Sequence, residues 1–198
     1  MPLPAPRKRP PNLILTGFMG TGKTTLGRLL SHSLGFRFCD TDKIIQQKTG
    51  RSIPEIFATD GESAFRELEK QCVAEWLPEG GAVISTGGGI VTIPGIASAL
   101  RARGVVVALF ASPKVILERT GNGKNRPLLQ TAGDPLEHIR TLLAAREQAY
   151  MNSGINVFTD CRSLNELAAI VERIYRRELR GRNRGKPNKH SAHPENSV

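Results

Sequence analysis

Short apolar runs alternate along the chain with longer segments in which apolar residues recur every third or fourth position. The runs are LILTG (13–17), FRFCD (36–40), AVIST (82–86), VVVALF (105–110) and NVFT (156–159). They are rich in β-branched residues and nearly continuous in apolarity, which suits strands buried on both faces. Their alternation with helical segments predicts βαβ units and a parallel sheet in a three-layer α/β/α arrangement. Leu26, Leu29, Leu30 and Leu34 form one helical stripe, and Phe65, Leu68, Cys72 and Trp76 form another; both read as core packing. Helix starts are marked by two capping boxes, Ser52 with Glu55 and Ser163 with Glu166, and by Pro113 in first-turn position after Ser112. One stretch, TGNGKNRPLLQTAGD (120–134), breaks the pattern. A glycine-rich, basic segment of that length inside a compact domain reads as a lid.

Composition narrows the class. The 198 residues are 39% hydrophobic and 23% charged, which fits a single globular domain. No apolar run approaches the ~20 residues that cross a bilayer, and the basic N-terminus lacks the apolar stretch of a secretory signal. A cytoplasmic protein with no membrane partner is therefore expected. Cys39, Cys72 and Cys161 are odd in number and widely spaced, without a C-x-x-C pair. They read as buried or half-buried free thiols rather than as a disulfide framework or zinc site.

The net charge of +10 invites a nucleic-acid partner, but its distribution argues otherwise. Residues 1–11 carry +3 and residues 176–198 carry +5, leaving +2 for the body between them. The expected organisation is a flexible basic tail over 1–11, one domain over 12–176 and a second flexible basic tail over 177–198. A monomer is expected, with no specific nucleic-acid partner and only weak, salt-sensitive attraction of the tails to polyanions.

The chemistry starts at NLILTGFMGTGKTT (12–25). Gly17, four residues, then Gly22-Lys23-Thr24 satisfy G-x-x-x-x-G-K-[ST], with a strand before and an apolar-periodic helix after. Glycines let backbone N–H groups converge on phosphate, with Gly20, Thr21 and Thr25 completing the ATP cradle. Lys23 supplies a point charge for the β- and γ-phosphates, and the Thr24 hydroxyl can ligate Mg²⁺. A switch GTPase would carry D-x-x-G and N-K-x-D, which are missing; Asn188-Lys189 is followed by His and Ser. A small kinase remains.

Asp40-Thr41-Asp42 ends the second strand, where ligands gather in open α/β sheets. Two carboxylates there could divide between Mg²⁺ and an acceptor hydroxyl, or Asp42 could simply cap the following helix. Arg66 and Glu69 share a helix face at i and i+3. Spacing alone favours a solvated salt bridge over a fork for a substrate carboxylate.

Taken in order, GFMGTGKTTLGRLL, DTD, GESAFRELE, STGGG, NRPLL and AAREQAY resemble the shikimate kinases, over residues 12–175. The resemblance implies a P-loop kinase fold related to the nucleoside-monophosphate kinases: a five-stranded parallel sheet in order 2-3-1-4-5 and a lid. It implies ATP-dependent phosphorylation of the shikimate 3-hydroxyl, with Mg²⁺, on the route to chorismate and the aromatic amino acids. Carried over, Asp42 acts as base on the acceptor, and Asp40 holds the Mg²⁺ shell with Thr24. Arg66 and Arg146 clamp the shikimate carboxylate, and Glu69 orients Arg66. Gly87, Gly88 and Gly89 turn N–H groups to the substrate. Arg126 closes with the lid, while Arg119 and Arg162 flank the adenine. The chain departs from the family at Arg146-Glu147-Gln148-Ala149-Tyr150, where Arg-x-Pro-x-Tyr is common. The rival readings are a kinase of the same shape for another hydroxy acid, such as gluconate, and a nucleotide-dependent nucleic-acid-binding protein working through its tails.

Overall fold

A computed structural model describes residues 9–121 and 134–183, and among them are five parallel strands and eight α-helices. The strands are β1 (Asn12–Gly17), β2 (Arg37–Asp40), β3 (Ala82–Ser85), β4 (Gly104–Phe110) and β5 (Ile155–Phe158). They form one sheet in the order β2-β3-β1-β4-β5. All five apolar runs become strands, with ends shifted by a residue. The helices are α1 (Lys23–Leu34), α2 (Thr41–Thr49), α3 (Ile53–Gln71), α4 (Ile96–Arg103), α5 (Pro113–Thr120), α6 (Pro135–Ala144), α7 (Glu147–Met151) and α8 (Leu164–Asn183).

Alternation along β1 explains the layers. Leu13 and Leu15 point into one core with Leu26 and Leu30 of α1 and Leu167, Val171 and Tyr175 of α8. Ile14 points the other way, into a second core with Ile56 and Phe65 of α3, Leu100 of α4, Ile116 of α5 and Tyr150 of α7. A sheet covered on both faces can only open at its strand ends, and register sets that edge: Gly17 lies beside Leu109, and Asp40 beside Ser85. The P-loop and the acidic turn therefore leave the sheet on the same side.

Both capping boxes form: Ser52 and Glu55 bond reciprocally, as do Ser163 and Glu166. Three expectations change. Asp40, not Asp42, caps α2, its Oδ1 accepting from the N–H groups of Asp42 (3.1 Å) and Lys43 (3.4 Å). The β-region backbone of Asp40 at the strand end aims its carboxylate at the first turn of the helix. Cys161 is exposed, in a loop turn with φ 56°, whereas Cys72 is buried and Cys39 half-buried. Finally, residues 177–183, expected as tail, continue α8. Leu179 packs on the core below, and Arg182 Nη2 donates to the carbonyls of Arg101 (3.1 Å) and Gly104 (2.8 Å). The expected flexible tails otherwise fall largely on residues 1–8 and 184–198, and most of the expected lid, with Arg126, on 122–133; these lie outside the described residues. No helix among the described residues is long and apolar enough to cross a membrane.

Candidate active site

The turn from β1 into α1 is forced by glycine. Gly17 has φ 134°, and a Cβ there would sit 2.3 Å from the Leu109 carbonyl oxygen. Gly22, at φ 92°, precedes α1 without any side-chain cap, so the first-turn N–H groups are left to face a ligand. Lys23 Nζ folds over the loop, donating to the carbonyls of Gly17 (2.7 Å) and Phe18 (2.8 Å). Thr24 Oγ1 lies 3.5 Å from Ser85 Oγ, and Ser85 is the strand partner of Asp40. Sequence reasoning missed Ser85; its position just before Thr86 and the triple glycine was the available signal.

These groups open into one cleft of about 570 Å³. Its lining includes Gly20, Thr21, Gly22, Lys23, Thr24 and Thr25 from the glycine loop and α1, and Asp40, Asp42, Ser85, Gly87 and Gly88 from the ends of β2 and β3. Arg119 and Arg162 also line it, and Arg119 Nη1 donates to the Gly20 carbonyl (3.4 Å). Arg119 is held by Thr159 Oγ1 (2.9 Å) and the Thr159 carbonyl (3.2 Å), and Arg162 by the Phe158 carbonyl (2.7 Å). A larger hollow of about 790 Å³ along the exposed arginines of α8 shares none of this lining.

Beside this cleft α3 packs against the turn after β3. Arg66 Nη1 donates to Glu69 Oε2 (2.6 Å), while its Nε and Nη2 donate to Glu62 Oε1 (3.2 and 2.7 Å). The solvated-pair reading holds for Glu62, which is 64% exposed, and fails for Glu69, whose side chain is 1% exposed. A Cβ on Gly89 would lie 2.7 Å from Arg66 Nη1, so the guanidinium packs directly on the glycine turn. Arg146 caps α7 and holds its guanidinium 6.0 Å from the Phe18 ring centre, above the P-loop. One expected donor is already committed: the Gly87 N–H bonds to Thr41 Oγ1 (2.8 Å), because buried Thr41 needs a partner. Gly88 and Gly89 keep N–H groups without an acceptor among the described residues.

Two buried carboxylate oxygens, Asp42 Oδ1 and Glu69 Oε1, have no hydrogen-bond partner among the described residues. Both crowd the same face of Gly87, where a Cβ would lie 2.7 Å from the first and 2.9 Å from the second. Burial raises the affinity of Asp42 for its proton and the neighbouring Asp40 adds to it, with Lys23 and Arg66 opposing. Glu69 is pushed up to about 7, chiefly by burial and against the pull of Arg66. A carboxyl raised in the folded chain stabilises it fully below the ordinary value of 4.5, and that contribution is lost as pH rises through about 7. Glu69→Gln is therefore expected to gain stability relative to the parent as pH climbs through this window. Thermal midpoints measured at intervals across it give the slopes, and identical slopes would count against a buried, proton-holding Glu69.

Comparison with known proteins places the chain in a family. The shikimate kinase family matches residues 19–177. A shikimate kinase of Thermus thermophilus is 48% identical over 170 residues, covering 84% of this chain and 92% of its own. One from Caldanaerobacter subterraneus is 43% identical over 171 residues, covering 86% and 99%. Among solved structures, the shikimate kinase from Acinetobacter baumannii in complex with shikimate superposes with a TM-score of 0.78 at 37% identity, covering 85% of this chain and 94% of its own. That from Aquifex aeolicus gives 0.70 at 36% identity, with 87% and 98% covered. Both the sequence of the body and the path of its backbone thus lead to one conclusion: the chain belongs to the shikimate kinase family.

Proposed function

We propose that this chain transfers the γ-phosphoryl group of ATP to the 3-hydroxyl of shikimate in the cytoplasm, giving shikimate 3-phosphate and ADP on the route to chorismate. The observation that carries the reading is the shared cleft in which a P-loop faces Asp42 and the glycine turn. The loose transition state of phosphoryl transfer asks for positioning and charge more than for covalent help.

Asp42, with a buried oxygen awaiting a donor, receives the acceptor proton. Lys23 exchanges the carbonyls of Gly17 and Phe18 for phosphate oxygens. The substrate carboxylate takes the edge of Arg66 now held by exposed Glu62, while Glu69 keeps the other edge fixed. Arg146 completes the clamp, and the Gly88 and Gly89 N–H groups are donors to the acceptor. Arg119 and Arg162 flank the base, and Arg126 would reach the transferring group from the segment outside the described residues.

Thr24, Ser85 and Asp40 line the same cleft with hard oxygen donors, a set that suits Mg²⁺. Asp40 spends Oδ1 on its cap and keeps Oδ2 for the metal or its water shell. When bound, Mg²⁺ supplies positive charge to the β- and γ-phosphate oxygens.

ADP release with ATP and Mg²⁺ is expected to depend on shikimate and not on gluconate. ADP formed with gluconate alone would move the chain to the rival acceptor, and no shikimate-dependent ADP would sink the reading.

A further inference from the structure

Tyr150 is 1% exposed, yet its hydroxyl donates to a backbone oxygen 62 residues away, the carbonyl of Gly88. Its ring stands edge-on to Phe110, 6.3 Å between centres. The other anchors of the glycine turn lie to either side: Gly87 N–H on Thr41 (2.8 Å) and the Gly89 carbonyl on Thr92 N–H (3.0 Å). The Gly88–Gly89 peptide itself is held by Tyr150.

That peptide matters because a trans peptide points its C=O and N–H in opposite directions. Drawing the Gly88 carbonyl to the buried phenol turns the Gly89 N–H to the other side, and Gly89 packs on Arg66. Two successive glycines have little torsional preference of their own, so an external anchor must choose the orientation. The phenol remains a protonated donor, since burial pushes it up to about 12 against the fields of Arg146 and Arg66. Arg146 thus meets the hydroxyl by a side-chain hydrogen bond as well as by its charge, and Arg66 by its charge alone.

The tyrosine also joins the two halves of the site. Its N–H bonds to the Arg146 carbonyl (3.1 Å), and its carbonyl accepts from Ser153 Oγ (2.8 Å). Ser153 Oγ in turn lies 2.9 Å from Thr16 Oγ1, one residue before the P-loop. Ser153 and Thr16 are wholly buried.

We propose that Tyr150 is a positioning residue for the acceptor: its hydroxyl orients the Gly88–Gly89 peptide toward the substrate and ties that peptide to the Arg146 clamp. The proposal deepens the shikimate-phosphorylating reading and rests on it. Tyr150→Phe keeps the ring and removes the hydroxyl, with its bond to the Gly88 carbonyl and its contact with the Arg146 side chain. The KM for shikimate is expected to rise about 3- to 10-fold, the size of one net hydrogen bond, with the KM for ATP and kcat within about twofold. Ser153→Ala removes two bonds of the same buried chain, to the Tyr150 carbonyl and to Thr16, away from the glycines, and its KM for shikimate should stay within about twofold. An unchanged KM in Tyr150→Phe, equal rises for shikimate and ATP, or an equal rise in Ser153→Ala would each overturn the role. Calorimetric titration with shikimate keeps the two proposals apart. Shikimate binding by the parent without ADP release rejects the kinase reading, and the ratio of the Kd of Tyr150→Phe to that of the parent then decides the role of Tyr150. A parent that neither binds shikimate nor releases ADP overturns both.

Discussion

Asp42→Asn is expected to lower shikimate-dependent turnover by about 10²–10⁴-fold, the usual loss when a positioned base is removed. Asparagine keeps the shape of the side chain, so the effect isolates the missing carboxylate. The site also predicts the sign of the stability change. Asp42 is a buried acid beside Asp40, with Oδ1 unpartnered, and it shares the face of Gly87 with the unpartnered oxygen of Glu69. Buried, unsatisfied charge destabilises, so neutralising it should hold or raise the thermal midpoint while activity collapses. Catalysis and folding then move in opposite directions, which a merely structural aspartate cannot produce. Steady-state ADP release and a melting curve on the same preparation check both, and near-normal turnover would remove Asp42 from the role of base.

How far such roles can be read from sequence depends on whether their cause is local. The strands and the P-loop were legible because each signal sits in a few neighbouring residues: a β-branched run, or glycines at fixed spacing before a lysine. The capping boxes are local in the same way. The burial of Glu69 was not legible from spacing, because its i,i+3 offset from Arg66 looks the same on a solvated helix as on one pressed against the glycine turn; only the family resemblance singled it out. Only packing of α3 under Gly87 and Gly89 makes it a buried acid. The commitment of the Gly87 N–H to Thr41 and the tie from Tyr150 to Gly88 span 46 and 62 residues, so no periodicity carries them. The choice between Asp40 and Asp42 as the cap of α2 turned on one residue's backbone angles at the end of β2, finer than pattern reading resolves.

Arg66→Ala separates two consequences of one guanidinium. The first is structural. Glu69 loses the 2.6 Å bond to its Oε2, and Oε1 has no partner already, so a fully buried carboxylate is left bare. Removing one partner of a buried pair costs about 3–5 kcal/mol. Arg66 is 21% exposed, and Glu69 can take up a proton, so a loss of about 1–3 kcal/mol is the expected scale here. The second is functional. A charge-assisted contact to the substrate carboxylate is worth about 1.5–3 kcal/mol, so the KM for shikimate should rise about 10- to 150-fold while that for ATP stays within about twofold. Adding Glu69→Gln to Arg66→Ala tells the two apart. The neutral amide no longer needs a counter-charge, so the double variant should recover much of the thermal midpoint and none of the affinity for shikimate. If stability and shikimate KM recover together, Arg66 acts by holding Glu69 in place; if the KM values for shikimate and ATP rise equally, it is no carboxylate clamp at all.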